Sequence, residues 1–407
     1  MTPSRLMMIN ILACLLLLLR VSSVTGRLIG GGGDDNQWVK TMSGVKIGKF
    51  QKIHVGQHGN FSTIQSAIDS VPNNNQNWVV IKIDQGTYRE KVTIPYDKPY
   101  IILKGKAKRT TEVVWDDHET VAQSPTFTCL ADNVIVKCIT FRNSYNNPVN
   151  GNRRVPAAAA MVTGDKLYFY RVGFFGLQDT LWDDRGRHYF RKCTIQGAVD
   201  FIFGAGQSIY EACSISVLGN ALAPNLPGFI TAHGRTDPND SSGFIFKGCN
   251  IFGSGSAYLG RPWRGYARVL FYRCFFSDVV EPTGWDAWGY VGNDLTSGSS
   301  MDRHQLTFAE YECYGPGANT GSRESGNWKA GQFRLTFRIG IAERPELARR
   351  LGVFLPSSHL IHDQLGQSIL PTLDHGADFR PKSLGKAVDQ LLILIRGLRR
   401  WDATCCA

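Results

Sequence analysis

The chain has 407 residues, of which 43% are hydrophobic, and this composition excludes an intrinsically disordered protein. The formal net charge is +11, but residues 329–407 carry +5 and residues 1–26 carry +2, which leaves +4 for residues 27–328. This mild positive charge favours an acidic polymer over a nucleic acid as the partner, although an ordinary solvated surface has the same charge.

Residues 1–26 predict a signal peptide. Arg5 supplies a basic start, residues 7–19 form an apolar run, and residues 21–26 offer small side chains for cleavage. The alternative is a membrane anchor, but the run is shorter than the roughly 20 apolar residues that span a bilayer. We therefore expect a secreted, extracellular protein that is not bound to a membrane. Two N-glycosylation sequons, at Asn60 and Asn239, fit that route.

After a linker at residues 27–44, the stretch FSTIQSAIDSVPNNN (residues 61–75) has apolar residues at helical spacing and ends in a Pro/Asn turn. It predicts a helix. The stretch NWVVIKIDQGTYREKVTI (residues 77–94) predicts the first strands, and YIILKG (residues 100–105) predicts another.

A repeated pattern then runs through the middle of the chain. In each unit, alternating apolar residues are followed by two mostly polar residues, then by Cys or Val, at positions 138, 172, 193, 213, 249 and 274. The segments are NVIVKCITFRN, KLYFYRVGFFG, RHYFRKCTIQG, QSIYEACSISV, GFIFKGCNIFG and RVLFYRCFFSD.

Alternation with period two predicts strands, and a unit of about 20–25 residues predicts a solenoid. The units are too short for a strand–helix–strand crossover. We therefore predict an all-β fold, a right-handed parallel β-helix over residues 45–328, with the helix at 61–75 covering its open end. A β-sandwich is the alternative, but it would not require the same motif in every unit.

Five of the ten cysteines occupy the repeated position: Cys138, Cys193, Cys213, Cys249 and Cys274. Because a buried thiol packs like a small apolar group, we predict a ladder of reduced side chains inside the solenoid. Disulfides are the alternative in a secreted protein, with Cys193 and Cys213 one coil apart as the candidate pair.

Two aspartates lie among apolar residues, where a carboxylate is costly to bury. Asp179 and Asp200 are 21 residues apart, which in this solenoid places them on adjacent coils, about 4.8 Å from each other. Two carboxyls that close acquire different pKa values, so one stays protonated while the other is ionised. The pair therefore predicts an acid and a nucleophile or base, and the alternative is two turn or capping aspartates.

Five motifs around these aspartates resemble those of the plant pectinesterases (pectin methylesterases), in the family's order over about residues 45–320. They are GTYREKV (86–92), SPTFT (124–128), GLQDTL (176–181), GAVDFIFG (197–204) and LGRPW (259–263). The resemblance implies a right-handed β-helix and a hydrolase that demethylesterifies cell-wall pectin, releasing methanol from methyl-esterified homogalacturonan. We interpret GTYREKV as structural.

The resemblance also implies roles for individual residues. Asp200 would be the nucleophile, and Asp179 would be the proton donor and later the base. Gln178 would stabilise the oxyanion, and Arg261 would orient Asp200. Substrate contacts are implied for Thr126, Phe203, Arg261 and Trp263, with core packing as the alternative for Phe203 and Trp263.

Other chemistries have no signature in the sequence. The nine histidines show no HExxH motif or clustered spacing, so we expect no metal and no other cofactor. No G-x-S-x-G elbow is present, which disfavours a serine esterase. The expected partners are pectin and proteinaceous pectinesterase inhibitors, with no nucleic acid, and we expect a monomer without a large inhibitory pro-domain.

One position departs from the family. A second oxyanion glutamine is usual nine residues before a Gly-Asp pair, and here Pro156 precedes Gly164-Asp165 at that spacing. Proline has no side-chain or backbone donor, so we expect weakened activity unless a neighbouring backbone amide substitutes. The chain would then belong to a subgroup with proline in place of glutamine.

The second departure is residues 329–407, which show neither the repeat nor the family motifs. Their basic amphipathic stretches predict helices or poor order, and a misread exon boundary is one hypothesis for their origin. Two alternative functions stay open: a catalytically weak pectin-binding relative, and a lyase-like β-helix enzyme, which would need calcium carboxylates and a basic proton abstractor.

Overall fold

Parallel β-strands make up nearly all of the regular structure in the computed structural model, which describes residues 51–288 and 306–323. The predicted signal peptide, the linker and the atypical tail lie outside these residues. Where the structure describes the chain, its strands form three sheets, of ten, eight and seven strands. We call them sheet A, sheet B and sheet C.

Each sheet takes its strands from successive coils, so spatial order follows chain order. Sheet A contains β1 (Gln51–Val55), β2 (Val79–Ile83), β5 (Ile101–Gly105), β8 (Ile135–Lys137), β11 (Leu167–Tyr170), β14 (Arg187–Arg191), β17 (Gln207–Glu211), β20 (Gly243–Lys247), β23 (Arg268–Tyr272) and β25 (Thr307–Tyr311). Sheet B contains β3 (Gly86–Arg89), β6 (Thr111–Trp115), β9 (Thr140–Asn143), β12 (Gly173–Phe175), β15 (Thr194–Gly197), β18 (Ser214–Leu218), β21 (Asn250–Ser254) and β24 (Phe275–Phe276). Sheet C contains β4 (Val92–Ile94), β7 (Phe127–Cys129), β10 (Ala160–Val162), β13 (Leu181–Asp183), β16 (Ile202–Gly204), β19 (Gly228–His233) and β22 (Ala257–Pro262).

From β2 to β22 the chain visits the sheets in the order A, B, C and then begins the next coil. Neighbouring strands pair in parallel, as in β14 against β17, where Arg187 faces Gln207. This is the right-handed parallel β-helix that the repeat predicted, and uniformly parallel pairing rejects the β-sandwich.

Aromatic rings stack along the interior of the β-helix. Successive ring centroids lie 4.5–4.8 Å apart, close to the spacing between parallel strands. The rings belong to Phe169, Phe190, Tyr210, Phe246 and Phe271, all with no solvent exposure. The repeat therefore aligns one large side chain per coil in the core.

We expect Phe190→Ala to lower the free energy of unfolding by about 3–5 kcal/mol, because it removes the ring between two stacked neighbours and leaves a cavity. Chemical denaturation followed by tryptophan fluorescence measures this change. Leu226→Ala is the control, since the Leu226 side chain is 56% exposed and its loss should cost less than about 0.5 kcal/mol. Equal effects of the two substitutions would contradict the core assignment.

The cysteine ladder exists, but its predicted membership was wrong at one position. Backbone pairing aligns Ile139 with Val172, and Val172 with Cys193, so Cys138 lies one residue out of register. The ladder consists of Ile139, Val172, Cys193, Cys213, Cys249, Cys274 and Cys313. Its cysteines are free thiols, so Cys193 and Cys213 form no disulfide in this structure.

Cys138 instead occupies the corner between sheet A and sheet B, where each of these coils turns with a left-handed residue. The φ angles at this corner lie between 51° and 58°. The corner residues are Cys138, Arg171, Lys192, Ala212, Gly248, Arg273 and Glu312. The sequence carries no strong sign of this corner, because only Gly248 is a residue type that favours positive φ.

The predicted helix is α1 (Ile64–Asp69), shorter than the stretch that indicated it. The Thr63 side chain accepts a hydrogen bond from the Ser66 amide, and Glu90 accepts from the amides of Ile64 (2.8 Å) and Gln65 (2.9 Å). Glu90 belongs to GTYREKV, so at least part of that motif has a structural role. The helix packs on β1, a strand that precedes it and that the sequence patterns did not predict.

Candidate active site

Asp179 and Asp200 occupy equivalent positions on adjacent coils, immediately before strands of sheet C. The Asp179 amide donates a hydrogen bond to the Val199 carbonyl (3.0 Å). Two residues further on, Leu181 of β13 faces Ile202 of β16. The adjacency predicted from the 21-residue spacing is therefore confirmed.

The backbone at both aspartates is left-handed, with φ of +59° at Asp179 and +46° at Asp200. Aspartate tolerates this region better than most residues, and such strain often occurs at functional sites. Two glycines allow the chain to approach these turns closely. A Cβ at Gly176 would lie 2.6 Å from the Thr180 hydroxyl, and one at Gly197 would lie 2.3 Å from the Phe201 Cβ. This explains the shared G-x-x-D pattern of the two motifs.

Asp200 is buried and paired with Arg261 of β22. The Arg261 Nε donates to Oδ1 at 2.8 Å, and Nη2 donates to Oδ2 at 2.5 Å. The Arg261 guanidinium also lies between two aromatic rings, 3.9 Å from the Phe229 centroid and 3.7 Å from that of Trp288. Two charged hydrogen bonds and two ring faces thus fix the orientation of Arg261, and Arg261 fixes Asp200.

The two carboxyls have different electrostatic environments. Burial, followed by the negative charge of Asp200, raises the pKa of Asp179 to about 7, against the opposing charges of Arg261 and Arg154. Burial also raises the pKa of Asp200 above its ordinary value, although its hydrogen bond to Arg261 opposes the rise. Since Arg261 stabilises the ionised form of Asp200 directly, Asp179 is the carboxyl that holds a proton near neutral pH.

Gln178 precedes Asp179 and is half-buried, and its side-chain amide forms no hydrogen bond with another described residue. It is therefore available to a ligand. Pro156 lies close by, because the amide of the next residue, Ala157, donates to the Gln178 carbonyl (3.2 Å).

The amides that follow Pro156 are already occupied, so they cannot replace the missing glutamine. Their acceptors are the carbonyl of Gln178 for Ala157, the hydroxyl of Ser124 for Ala158 (2.9 Å) and the carbonyl of Thr180 for Ala159 (2.8 Å).

The two predicted aromatic contacts, Phe203 and Trp263, differ in exposure. Phe203 is only 5% exposed and packs between Trp182 (5.3 Å) and Trp263 (5.9 Å). Trp182 and Trp263 are both partly exposed. For Phe203 this geometry favours the packing alternative, whereas Trp263 keeps a surface that a sugar ring could contact.

Thr126 does not face solvent. Its side chain is fully buried, and its hydroxyl donates to the Arg142 carbonyl (2.9 Å). The predicted direct substrate contact at Thr126 therefore receives no support from the structure, because the hydroxyl is already used within the coil.

Several residues around the site were missed by sequence reasoning. They are Arg154, Trp182, Phe229 and Trp288. Trp182 had a signal, since it aligns with Phe203 one coil later. The others are brought to the site by loops or neighbouring coils, and no local pattern distinguishes them.

Within residues 51–288 and 306–323, no three or more His, Cys, Asp or Glu side chains are grouped as metal ligands would be. The same ranges contain no helix long and apolar enough to cross a membrane.

We expect Arg261→Lys to lower kcat by about 10- to 100-fold, because lysine cannot form the two parallel hydrogen bonds and one charged bond is worth about 1.5–3 kcal/mol. Since Arg261 lowers the pKa of Asp200, the acidic limb of the pH–rate profile should move to higher pH. Arg273→Lys is the matched control, because Arg273 pairs with Glu312 on another coil. An unchanged profile for Arg261→Lys would contradict the positioning role.

The fold and the site together define the class of the protein: a parallel β-helix that carries two neighbouring carboxyls, one buried and one partly buried, suited to acid and base chemistry. The family model described as "Pectinesterase" matches residues 52–337. The chain therefore belongs to the pectinesterase family, and it is an enzyme of that type, a hydrolase that removes methyl esters from pectin.

Individual relatives agree with this assignment. "Probable pectinesterase 29" from Arabidopsis thaliana is 60% identical over 279 residues, which cover 67% of this chain and 81% of that protein. "Probable pectinesterase 55", also from Arabidopsis thaliana, is 58% identical over 270 residues, covering 65% and 79%. The solved pectin methylesterase from carrot has a TM-score of 0.60 and 27% identity, over 70% of this chain and 88% of that one.

Proposed function

We propose that Asp200 is the nucleophile and Asp179 the acid/base of pectin demethylesterification in this chain. The observation that carries the proposal is the asymmetry of the two carboxyls. Asp200 is bonded at both oxygens to Arg261, whereas Asp179 forms no ion pair with a described residue and burial raises its pKa to about 7. One aspartate is thus ionised and oriented while its neighbour carries a proton.

In the first half of the reaction, an Asp200 oxygen attacks the carbonyl carbon of a galacturonate methyl ester. The carbonyl electron pair moves to oxygen, and Gln178 donates a hydrogen bond to the resulting oxyanion. Collapse of this intermediate breaks the bond to the methoxy oxygen, which takes the proton from Asp179 and leaves as methanol. An acyl-enzyme anhydride on Asp200 remains.

In the second half, the ionised Asp179 removes a proton from water, which attacks the acyl carbon. The second oxyanion collapses, releases the galacturonate carboxyl and restores the Asp200 carboxylate, and Asp179 is again protonated. Ester and water are consumed, methanol and a carboxylic acid are formed, and the enzyme returns to its starting state.

The remaining assignments are proposals of the same kind. The signal-peptide pattern and the two sequons support secretion to the plant cell wall. Trp263 is the proposed sugar platform, and Pro156 supports membership of the proline-for-glutamine subgroup. The chain is expected to act as a monomer and to be bound by proteinaceous inhibitors.

Incubation of the purified protein with highly methylated pectin tests the activity. We expect release of methanol without unsaturated products that absorb in the ultraviolet. Binding to pectin without methanol release would instead identify a catalytically weak relative. Unsaturated products would identify a lyase, and both outcomes would overturn the proposed mechanism.

A further inference from the structure

We propose that Arg154 is a catalytic residue of this chain, whose guanidinium donates hydrogen bonds to the oxyanion on the side where Pro156 offers no donor. This inference rests on the proposed roles of Asp200 and Asp179, and it concerns a residue outside all the motifs that identify the family.

The loop that carries Arg154 is anchored beside the candidate site. This loop connects β9 to β10, and both of its ends are bound to the coil of Asp179. Near one end, the buried Asn147 side chain donates to the Gly176 carbonyl (2.8 Å). At the other, the Ala157 amide donates to the Gln178 carbonyl (3.2 Å). Arg154 lies between these anchors, only three residues from Ala157, so the loop places it beside the candidate site.

The charge of Arg154 acts on both carboxyls. The positive charge of Arg154 lowers the pKa of both Asp179 and Asp200, so its guanidinium lies within interaction range of both carboxyls. Apart from Arg261, Arg154 is the only cation in the described residues with this effect on both. The adjacent Arg153 is also exposed, but its charge has no such effect on Asp179.

The Arg154 guanidinium has donors available to a ligand. No hydrogen bond or ion pair joins the Arg154 guanidinium to another described residue, whereas the Arg261 guanidinium is held on Asp200 by its Nε and Nη2. A guanidinium has five N–H donors and stays protonated throughout the pH range of the reaction. Since the amides after Pro156 are occupied, Arg154 is a group that can supply a second donor beside Gln178.

The charge of Arg154 should stabilise the transition state more than the bound substrate. The ester carbonyl carries little charge before attack, whereas the oxyanion carries a full negative charge afterwards. A cation at this place therefore binds the intermediate more strongly than the substrate, and its contribution appears mainly in kcat.

We would test this with Arg154→Ala and Arg153→Ala as the matched pair, measuring methanol release from methylated oligogalacturonides. Arg154→Ala should lower kcat by about 10²–10³-fold with little change in KM, as expected for loss of one oxyanion donor. Arg153→Ala should keep the parent kcat. Each variant is measured at its own pH optimum, because losing the Arg154 charge also raises the pKa of both aspartates.

Two rescue experiments exclude a purely structural explanation. Free guanidinium ion in the millimolar range should restore part of the kcat of Arg154→Ala and leave Arg153→Ala unchanged. Pro156→Gln should make the enzyme less sensitive to Arg154→Ala, because a side-chain donor then reaches the same oxygen. The effects of the two substitutions would then not be additive.

The outcomes distinguish failure of the role proposed for Arg154 from failure of the mechanism proposed for Asp200 and Asp179. If Arg154→Ala retains the parent kcat while Asp200→Asn is inactive, the inference fails and the proposed mechanism stands. A loss confined to KM would make Arg154 a substrate-binding residue and would also overturn the inference. If Asp200→Asn retains activity, the proposed mechanism itself fails.

Discussion

Asp200→Asn is expected to lower methanol release from methylated pectin by about 10⁴-fold or more, because a neutral amide cannot attack the ester carbonyl as a carboxylate does. The substitution keeps the size of the side chain and one acceptor for Arg261, so the fold should be retained. Methanol release by the purified variant, at saturating substrate, measures the effect.

Asp278→Asn is a suitable control, since Asp278 is exposed and far along the chain from the pair. It should retain the parent activity. Methanol release by Asp200→Asn at the rate of this control would remove Asp200 as the nucleophile and leave the buried Arg261 pair without a catalytic purpose.

Asp179→Asn is expected to lower kcat by about 10²–10⁴-fold, the contribution of a general acid and base. The leaving methoxide then receives no proton from the enzyme, and water is not activated. The loss should be smaller for a substrate whose leaving alcohol is more acidic, because that alcohol needs less protonation. Equal losses for both leaving groups would contradict the acid role.

The same substitution should stabilise the folded protein at high pH. The pKa of Asp179 is about 7 in the folded state, against an ordinary value of 3.8. Between these pH values the folded state binds more protons than the unfolded state. The stability that protonated Asp179 contributes is therefore lost as pH rises through 7. Asparagine cannot ionise, so Asp179→Asn should raise the free energy of unfolding by about 1–3 kcal/mol at pH 8, after allowance for partial exposure.

Denaturation at pH 4 and pH 8 measures this difference. At pH 4 the parent and the variant should be nearly equally stable, because Asp179 is protonated in the folded parent. A stability difference that does not grow with pH would contradict the raised pKa.

The repeat made the architecture predictable because each coil must place apolar side chains inside and meet its neighbours in register. The spacing of Asp179 and Asp200 followed from that regularity, since 21 residues close one coil. The error at Cys138 arose because this corner residue resembles the apolar residues of the ladder. The pairing of Val136 with Phe169 places Ile139, three residues after Val136, on the ladder beside Val172.

The remaining site residues depend on long-range geometry. Phe229 and Trp288 reach Arg261 from separate parts of the chain, and Arg154 is positioned by hydrogen bonds that its own loop makes with another coil. Thr126 matches a family motif, but its hydroxyl already donates a hydrogen bond to the Arg142 carbonyl in the interior. A motif match alone gives no information on such a bond. Motifs therefore located the carboxyl pair, whereas burial and hydrogen bonding decide what surrounds it.

The central claim is that one carboxyl of the pair is protonated near neutral pH while the other is ionised. A pH titration of protein labelled with ¹³C at the aspartate side-chain carboxyls tests it most directly. We predict one resonance with an apparent pKa of about 7. It should be absent in Asp179→Asn and should persist at lower pKa in Asp200→Asn, where the neighbouring charge is gone. A parent protein in which no aspartate titrates above about pH 5, or a resonance lost only in Asp200→Asn, would contradict the account.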